Sequence, residues 1–464
     1  MILGKIKKVH FIGIGGIGMS GISELLLNLG FTVSGSDIKM TSITSRLSDK
    51  GAKIYESHDK KNIINSDLVV YSSAINNENI ELVEARKIQI PIVRRAEMLG
   101  ELLKLKNTSI AVSGTHGKTS TTSMMGSILT EALFYPTLIV GGVVKNLNAN
   151  ALLGKGEIIV AEADEFDKSF LQLSPTHSII TNIDSEHLDC YGSKENLVKA
   201  FNQFANSTAF YGSIILCIDD PILKRLIPNI SRPIITYGFS GDAEFQAVNR
   251  KFRDFRSFFD VIHNGVKLGS IELKVPGSHN IKNALSTIAL STELGIKFDD
   301  IKKGLKNYRG VKRRFEIKGK VGEIIVVDDY AHHPTEISAT LKAVQNGWKE
   351  KRIIAIFQPH LYSRTREFFE DFAKSLIISD ILIITEIYGA REKSIPGISG
   401  ELISNVAKSI GHEEVYWIKD KNKIPNQLLS VLEKNDFIIT MGAGDIYKIS
   451  DQILNKLNNN YVRD

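Results

Sequence analysis

The sequence predicts an α/β protein of three domains: an N-terminal Rossmann-like domain, a central P-loop-type α/β domain with an antiparallel appendage, and a C-terminal Rossmann-like domain. Three observations carry this. Short β-rich runs alternate with amphipathic stretches along nearly the whole chain, as parallel sheets with crossover helices require. Two glycine loops each stand between such a strand and such a helix. A length of 464 residues suits about three domains at roughly 150 residues each. The expected domains are 1–107, 108–315 and 316–464.

In the first block Lys8–Gly13 reads as a strand and Met19–Leu29 as a helix with Leu25, Leu26 and Leu29 on one face. Phe31–Ser34 and Leu68–Ser72 read as further strands, and a helix near Arg95–Leu103 leads to the polar boundary segment Lys104–Asn107. The second block opens with the strand Ser109–Ser113 and a helix starting in the threonine run, followed by strands at Glu157–Ala161, His177–Thr181, Ser213–Cys217 and Pro233–Tyr237. From Asp242 to Val275 residues alternate around Asn264-Gly265, a hairpin signal and the basis for the antiparallel appendage. A helix from Asn280 to about Leu294 restores the α/β pattern. The third block alternates strands Glu323–Asp328, Arg352–Phe357, Asp380–Thr385 and Phe437–Met441 with helices such as Thr335–Gln345 and Arg366–Leu376.

Composition excludes several classes. At 43% hydrophobic and 24% charged residues the chain is too apolar for disorder. Lys plus Arg exceed Asp plus Glu by 58 − 52 = 6, too little over this length to point to nucleic acid or a membrane surface. Two cysteines, Cys190 and Cys217, make neither a disulfide framework nor a four-thiolate zinc site, which suits a reducing cytosol. Lys5, Lys7 and Lys8 before the apolar Val9–Ile17 imitate a signal peptide, but Gly13, Gly15 and Gly16 make that stretch a strand entering a turn. No apolar run reaches the ~18 residues of a membrane span. A cytoplasmic enzyme without nucleic-acid partner is expected, with monomer and dimer both left open.

Gly13, Gly15 and Gly18, with Gly16 between them, fit G-x-G-x-x-G, and Asp37 follows at the end of a second strand. Such glycines let the backbone approach a diphosphate at a helix N-terminus, so the loop reads as a nucleotide-diphosphate site or a tight structural turn. The second loop is sharper: Gly114, Thr115, His116, Gly117, Lys118, Thr119 and Ser120 stand between an apolar strand and a helix. Its amides can wrap triphosphate oxygens, Lys118 can neutralise the β- and γ-phosphates, and the Thr119 hydroxyl can bind Mg²⁺. Val112 occupies the first glycine position of the usual pattern, so this is a shorter phosphate loop. A dehydrogenase needs only the first loop and an ATPase switch only the second. An enzyme that activates a nucleotide-linked substrate with ATP needs both.

Strand ends carry the remaining polar groups. Glu162, Asp164 and Glu165 follow one apolar strand, as metal or substrate contacts or as a solvated loop. Asp184, Glu186 and His187 follow the next, with His187 either a ligand or a structural histidine. Asn280 and Asn283 open a helix, where Asn280 either meets an adenine edge or caps the helix. Arg313 and Arg314 at the second boundary either reach a γ-phosphate or form a solvated basic linker. In the third block Asp328 to Glu336, with Asp329 and His332, and Gln358 to Arg366, with His360 and Arg364, end strands and start helices. Arginines there suit a carboxylate such as that of an amino acid.

Taken together, GIGGIGMSG, GTHGKTS, EADEFDKSFL, GSHNIKNA, RRFE, DDYAHHPTE, QPHLYSRT and GAGDI resemble the Mur ligase family of bacterial cell-wall synthesis, in order, from Lys8 to Ile446. The resemblance implies that ATP phosphorylates the lactyl carboxylate of UDP-N-acetylmuramate and that the amine of L-alanine then attacks the acyl phosphate. It implies UDP-sugar on the first domain, with Gly13 to Gly18, Asp37, Asp164 and Glu165 on that substrate, and ATP with Mg²⁺ on the second. Lys118, Glu162, His187 and Arg314 become the catalytic set, and Thr119, Glu162 and His187 the metal ligands. Asn280 and Asn283 become adenine contacts, Asp329 a ribose contact, and His332, His360 and Arg364 the amino-acid side. Leu361 stands where many relatives carry an arginine. A murein tripeptide ligase of the same family is the nearest alternative. An NAD-dependent dehydrogenase explains only the first block, and a nucleotide-sensing regulator leaves the strand-end clusters without a role.

Overall fold

The computed structural model describes residues 3–147, 149–186, 188–390 and 392–461. Three sheets succeed one another. The first takes β1 (Lys8–Ile12), β2 (Thr32–Ser36), β3 (Lys53–Tyr55), β4 (Leu68–Tyr71) and β5 (Ile92–Arg94) in the order β3-β2-β1-β4-β5. β1 pairs in parallel with both β2 and β4, so the chain leaves β1 at the point where strand order reverses. That crevice is where open α/β sheets bind ligands. Helix α1 (Ile17–Asn28) leaves from it, and Ile12, Ile63, Val69, Leu82 and Ala85 pack below. α2 (Ser42–Asp49) starts on a Thr41 capping box, and α3 (Ile80–Lys87) and α4 (Arg95–Leu103) complete the block.

The second sheet takes β6 (Thr108–Ser113), β7 (Thr137–Val144), β8 (Ala149–Leu152), β9 (Ile158–Glu162), β10 (His177–Ile180), β11 (Ile214–Cys217), β12 (Ile234–Gly238), β13 (Phe245–Arg253), β14 (Arg256–His263) and β15 (Val266–Leu273). Its order is β15-β14-β13-β12-β11-β10-β6-β9-β7-β8. β6 lies in parallel between β10 and β9, and α5 (Lys118–Glu131) follows it. β13 to β15 realise the expected appendage. Asn264 and Gly265 turn between β14 and β15 with φ of 47° and 81°, the left-handed pair that a two-residue hairpin demands. The β7–β8 hairpin, absent from the sequence-based reading, extends the other edge antiparallel.

The third sheet takes β16 (Glu316–Val321), β17 (Ile324–Asp329), β18 (Arg352–Phe357), β19 (Ile381–Ile384), β20 (Val415–Trp417) and β21 (Asp436–Met441), ordered β16-β17-β21-β18-β19-β20. Its central strands are continuous runs such as Ile-Ile-Val-Val-Asp-Asp because both faces are covered. One face packs Phe315, Leu341, Trp348, Phe372 and Phe437, the other Val326, Ile354, Ile383, Ile446 and Ile449. β16 is the antiparallel exception, an edge strand that sequence periodicity did not reveal.

The chain forms two compact units. One comprises Met1–Asn249, Phe259–Glu272 and Lys282–Arg309, and so holds the first block together with most of the second. The other comprises Arg250–Phe258, Leu273–Ile281 and Gly310–Asp464. Among the described residues no helix is long and apolar enough to cross a membrane.

Candidate active site

At the first loop Gly13 adopts φ 81° and the amides of Gly13 and Ile14 donate to the carbonyl of Ser36 at 2.8 and 3.1 Å. Gly16 caps α1 without a side chain in the way. The Gly15 amide donates to Oδ2 of Asp37 at 2.9 Å, and a Cβ on Gly15 would stand 2.8 Å from that oxygen. Loop and acid, 22 residues apart, are therefore joined by a hydrogen bond, whereas in the dinucleotide fingerprint the acid serves the ribose. A cation joins them that the sequence reading missed: a Cβ on Gly18 would stand 3.2 Å from Nη1 of Arg95, whose Nη2 lies 3.7 Å from Asp164. Its signal is the Arg94-Arg95 pair at the junction of β5 and α4, a strand end facing the same crevice.

The second loop turns on Gly114 (φ 125°) and Gly117 (φ 85°), conformations that side chains rarely adopt. A Cβ on Gly114 would collide with the hydroxyl of Thr181, and one on Gly117 would stand 2.6 Å from Oδ1 of Asn283. Neighbouring strand ends hold the loop. The Thr115 amide donates to the carbonyl of Asn182 at 3.1 Å, the His116 amide to its side-chain oxygen at 2.9 Å, and the Asp184 amide to Thr115 Oγ1 at 2.8 Å. His116 Nε2 lies 3.1 Å from Asp184. Ser120 is buried in the first turn of α5.

Lys118 Nζ donates to the carbonyls of Gly114 and Thr115 at 2.7 and 3.1 Å and to Glu165 Oε2 at 2.7 Å. Burial works against its charge, but the carboxylates of Glu165 and Asp164 outweigh burial and hold its pKa above the usual lysine range. Burial pushes the carboxyl of Glu165 up to about 7, against the pull of Lys118. The Tyr191 hydroxyl donates to the Glu165 carbonyl at 2.6 Å, which fixes the backbone of that residue. The Lys118–Glu165 pairing spans 47 positions of sequence and carries no sequence signal.

Beside it, Thr119 Oγ1 donates to Glu162 Oε2 at 3.2 Å, and the Gly141 amide of β7 donates to Glu162 Oε1 at 2.6 Å. A hydroxyl and a carboxylate, both hard oxygen donors, thus meet at the heads of α5 and β9, a donor set that suits Mg²⁺. His187, expected as a third ligand, lies outside the described residues. Asn283 lies against the phosphate loop at Gly117. Asn280 Nδ2 donates to the carbonyl of Pro276 at 2.7 Å, so that half of its amide serves the helix start.

In the other unit the two boundary arginines part ways. Arg313 belongs to the scaffold: it donates to Asp328 at 3.2 Å and to the carbonyls of Gly442 and Gly444 at 2.6 and 3.0 Å, between the rings of Tyr330 and Tyr447. Arg314 is about one-third exposed, lies over Tyr330 and stands 3.6 Å from Glu336. Asp329 accepts from the amides of Ala331 and Phe315 at 2.7 and 2.8 Å, and burial pushes its carboxyl up to about 6 against the pull of Arg314. His332 turns Nδ1 to the Tyr330 carbonyl at 3.0 Å and to Glu336 at 3.2 Å. Its ring lies 5.8 Å from that of His360, which stacks on Tyr388. Leu361 is held at φ 71°, ψ 136° just before the helix Tyr362–Leu376 that carries Arg364. A branched side chain in that conformation stores strain on the order of 1–3 kcal/mol, a cost seen mainly where a loop is shaped for a ligand.

Models of the Mur ligase family match the chain in three consecutive stretches: the catalytic domain over residues 8–107, the middle domain over 112–291 and the glutamate ligase domain over 313–444. The UDP-N-acetylmuramate–L-alanine ligase of Geotalea daltonii is 47% identical over 454 residues, 98% of this chain and 99% of that protein. That of Salinibacter ruber is 45% identical over 458 residues, 98% of this chain and 96% of its own. The crystal structure of the UDP-N-acetylmuramate–alanine ligase of Thermotoga maritima matches with a TM-score of 0.84 at 32% identity, covering 98% and 99% of the two chains. A murein peptide ligase of Psychrobacter arcticus shares the fold at a TM-score of 0.71 and 24% identity, covering 98% and 99%.

Proposed function

The chain belongs to the Mur ligase family, and from that premise we propose that it joins L-alanine to the lactyl carboxylate of UDP-N-acetylmuramate, consuming ATP. The observation that carries this reading is full-length similarity to L-alanine ligases together with two phosphate-gripping loops in one compact unit. The division at 107/108 and 315/316 assigns the UDP-sugar to the first domain, ATP to the second and the amino acid to the third. A cytoplasmic location belongs to the same proposal.

ATP lies along the second loop. Lys118 exchanges its loop carbonyls for the β- and γ-phosphates, and Asn280 and Asn283 take the adenine edge. Asp329 takes the ribose through the second lone pair on each oxygen, and Arg314, partly exposed over Tyr330, takes the γ-phosphate. Thr119 and Glu162 would hold Mg²⁺, with His187 as the third ligand expected from the sequence. Bound there, the ion would supply positive charge beside the phosphates. Gly13, Gly15, Gly16 and Gly18 bind the diphosphate of the sugar nucleotide, Asp37 orders the loop, and Asp164 and Glu165 line the route toward ATP. One lactyl carboxylate oxygen attacks the γ-phosphorus and ADP leaves with the bridging electrons. The L-alanine amine, held through His332, His360 and Arg364, then adds to the acyl carbon, loses a proton and expels phosphate. Positioning and charge neutralisation do this work, without a protein nucleophile.

The test is phosphate release from ATP with Mg²⁺ and UDP-N-acetylmuramate, offering L-alanine, glycine, L-serine and an L-Ala-D-Glu-containing tripeptide in turn. The expected result is sugar-dependent release, strongest with L-alanine. Release with the tripeptide alone would move the chain to the recycling ligases, and no sugar-dependent release would overturn the reading.

A further inference from the structure

Asn150 lies on β8, in the middle block, yet its side chain is fully buried against the helix of the first glycine loop. Nδ2 donates to the carbonyl of Ile17 at 2.7 Å and to Ser20 Oγ at 3.2 Å, both in the first turns of α1. Oδ1 accepts from Nη2 of Arg46 on α2 at 2.6 Å. Arg46 stands 3.5 Å from Glu24 of α1, a carboxylate that Lys50 also binds. Gly21 leaves the necessary room, because a Cβ there would stand 3.2 Å from Nδ2 of Asn150. All six donor and acceptor positions of this cluster belong to one compact unit.

On its other side Asn150 is tied to the ATP loop. β8 pairs with β7, β7 offers the Gly141 amide to Glu162, and Glu162 takes the hydroxyl of Thr119. Ala149 and Ala151, on either side of Asn150, pair with Val144 and Ile139 of β7, and the stretch between those two, where the register shifts, carries Gly141; covalent backbone and hydrogen bonds together thus link α1 to the first turn of α5. We propose that Asn150 is a positioning residue for phosphoryl transfer: it registers the helix that grips the sugar nucleotide against the loop that grips ATP, while touching neither ligand. This rests on the substrate assignment above. The sugar nucleotide is anchored at its diphosphate, whereas the reacting carboxylate is at the far end of the muramyl group, so a small tilt of α1 is magnified at the γ-phosphorus. Reacting atoms must lie about 3–3.5 Å apart, and a misplacement of about 1 Å costs on the order of 10²-fold in rate.

Asn150→Ala is tested by steady-state kinetics on the full-length enzyme, with UDP-N-acetylmuramate and ATP affinities measured separately by calorimetry. The expected result is a kcat lower by on the order of 10²-fold, with both dissociation constants within about threefold of wild type. A purely structural role would instead lower the thermal midpoint and the active fraction, or raise KM for the sugar nucleotide alone. Arg46→Gln, which leaves Asn150 in place and removes its anchor, should give the same pattern with a smaller fall in kcat. An unchanged kcat in Asn150→Ala, or a loss confined to KM, overturns the proposal. If that variant does not fold, Arg46→Gln decides it in the same terms. Failure of the wild-type enzyme to bind UDP-N-acetylmuramate would overturn the substrate assignment instead, so the two failures are distinguishable.

Discussion

At the loop Gly13–Gly18 a side-chain partner of the backbone is the carboxylate of Asp37, and a cation beside it is Arg95, contributed by another helix. At the loop Gly114–Ser120 the cation is the loop's own Lys118, held against a buried carboxylate with a hydroxyl and a second carboxylate alongside. Both use glycines at a strand–helix junction to present amides at a helix N-terminus. Under the proposed function the first holds a diphosphate that does not react. The second adds a positive charge of its own and hard oxygen donors, which matter most if charge moves during the reaction. Under that function, grip and chemistry are thus divided between two versions of one backbone device.

Lys118→Ala breaks that division most severely. ATP-dependent phosphate release should fall by about 10³-fold or more, while calorimetry shows UDP-N-acetylmuramate binding nearly intact. Loss of both together would mean that the loops are not separate sites. Glu162→Gln comes next: it removes a charge from the Thr119 pair, so the Mg²⁺ concentration for half-maximal rate should rise by about tenfold or more. A Mg²⁺ titration superimposable on wild type would take Glu162 off the metal. Gly15→Ala is milder. Its methyl would crowd Asp37 at 2.8 Å without a forbidden φ, so KM for the sugar nucleotide should rise about tenfold with kcat kept. A fall in kcat at unchanged KM would show that the first loop also serves the chemistry.

The legibility of the two loops differs in a related way. Each glycine pattern is visible in the sequence because left-handed backbone at Gly13, Gly114 and Gly117 excludes other residues at fixed spacing. Strand-end positions of Glu162, Asp184, Asp329 and His360 were equally visible, since apolar runs end where the sheet opens to ligand. What finishes each loop was not. Glu165 meets Lys118 across 47 positions, and Asn150 meets Ile17 across 133. Such pairs are set by how blocks pack, and nothing local marks either partner. The β7–β8 hairpin escaped for another reason: Thr137–Val144 is apolar but interrupted by Gly141 and Gly142. The structure needs the first of these glycines, because a Cβ there would stand 2.5 Å from Glu162. Arg313 and Arg314 looked alike in sequence, and only the third sheet's own packing separates a scaffold arginine from a partly exposed one.

The smallest effect sharpens the comparison from the side of Glu165, which has no counterpart at the first loop. Its carboxyl is pushed by burial up to about 7 from an ordinary value of 4.5. The unfolded chain therefore releases this proton near 4.5, while the folded protein keeps it until about 7. Between those values the folded state binds more protons, so stability falls as pH rises through the window and levels off above it. Glu165→Gln cannot titrate and removes that slope. Thermal midpoints of variant and wild type, measured from about pH 5 to pH 8, should diverge in favour of the variant by a few degrees as pH rises to about 7, then run parallel. A constant difference across the range would mean that Glu165 is already ionised at pH 5, as a permanent partner of Lys118. The second loop would then enter the reaction below pH 7 with its lysine already neutralised, and ATP would have to displace a full ion pair to bind even there.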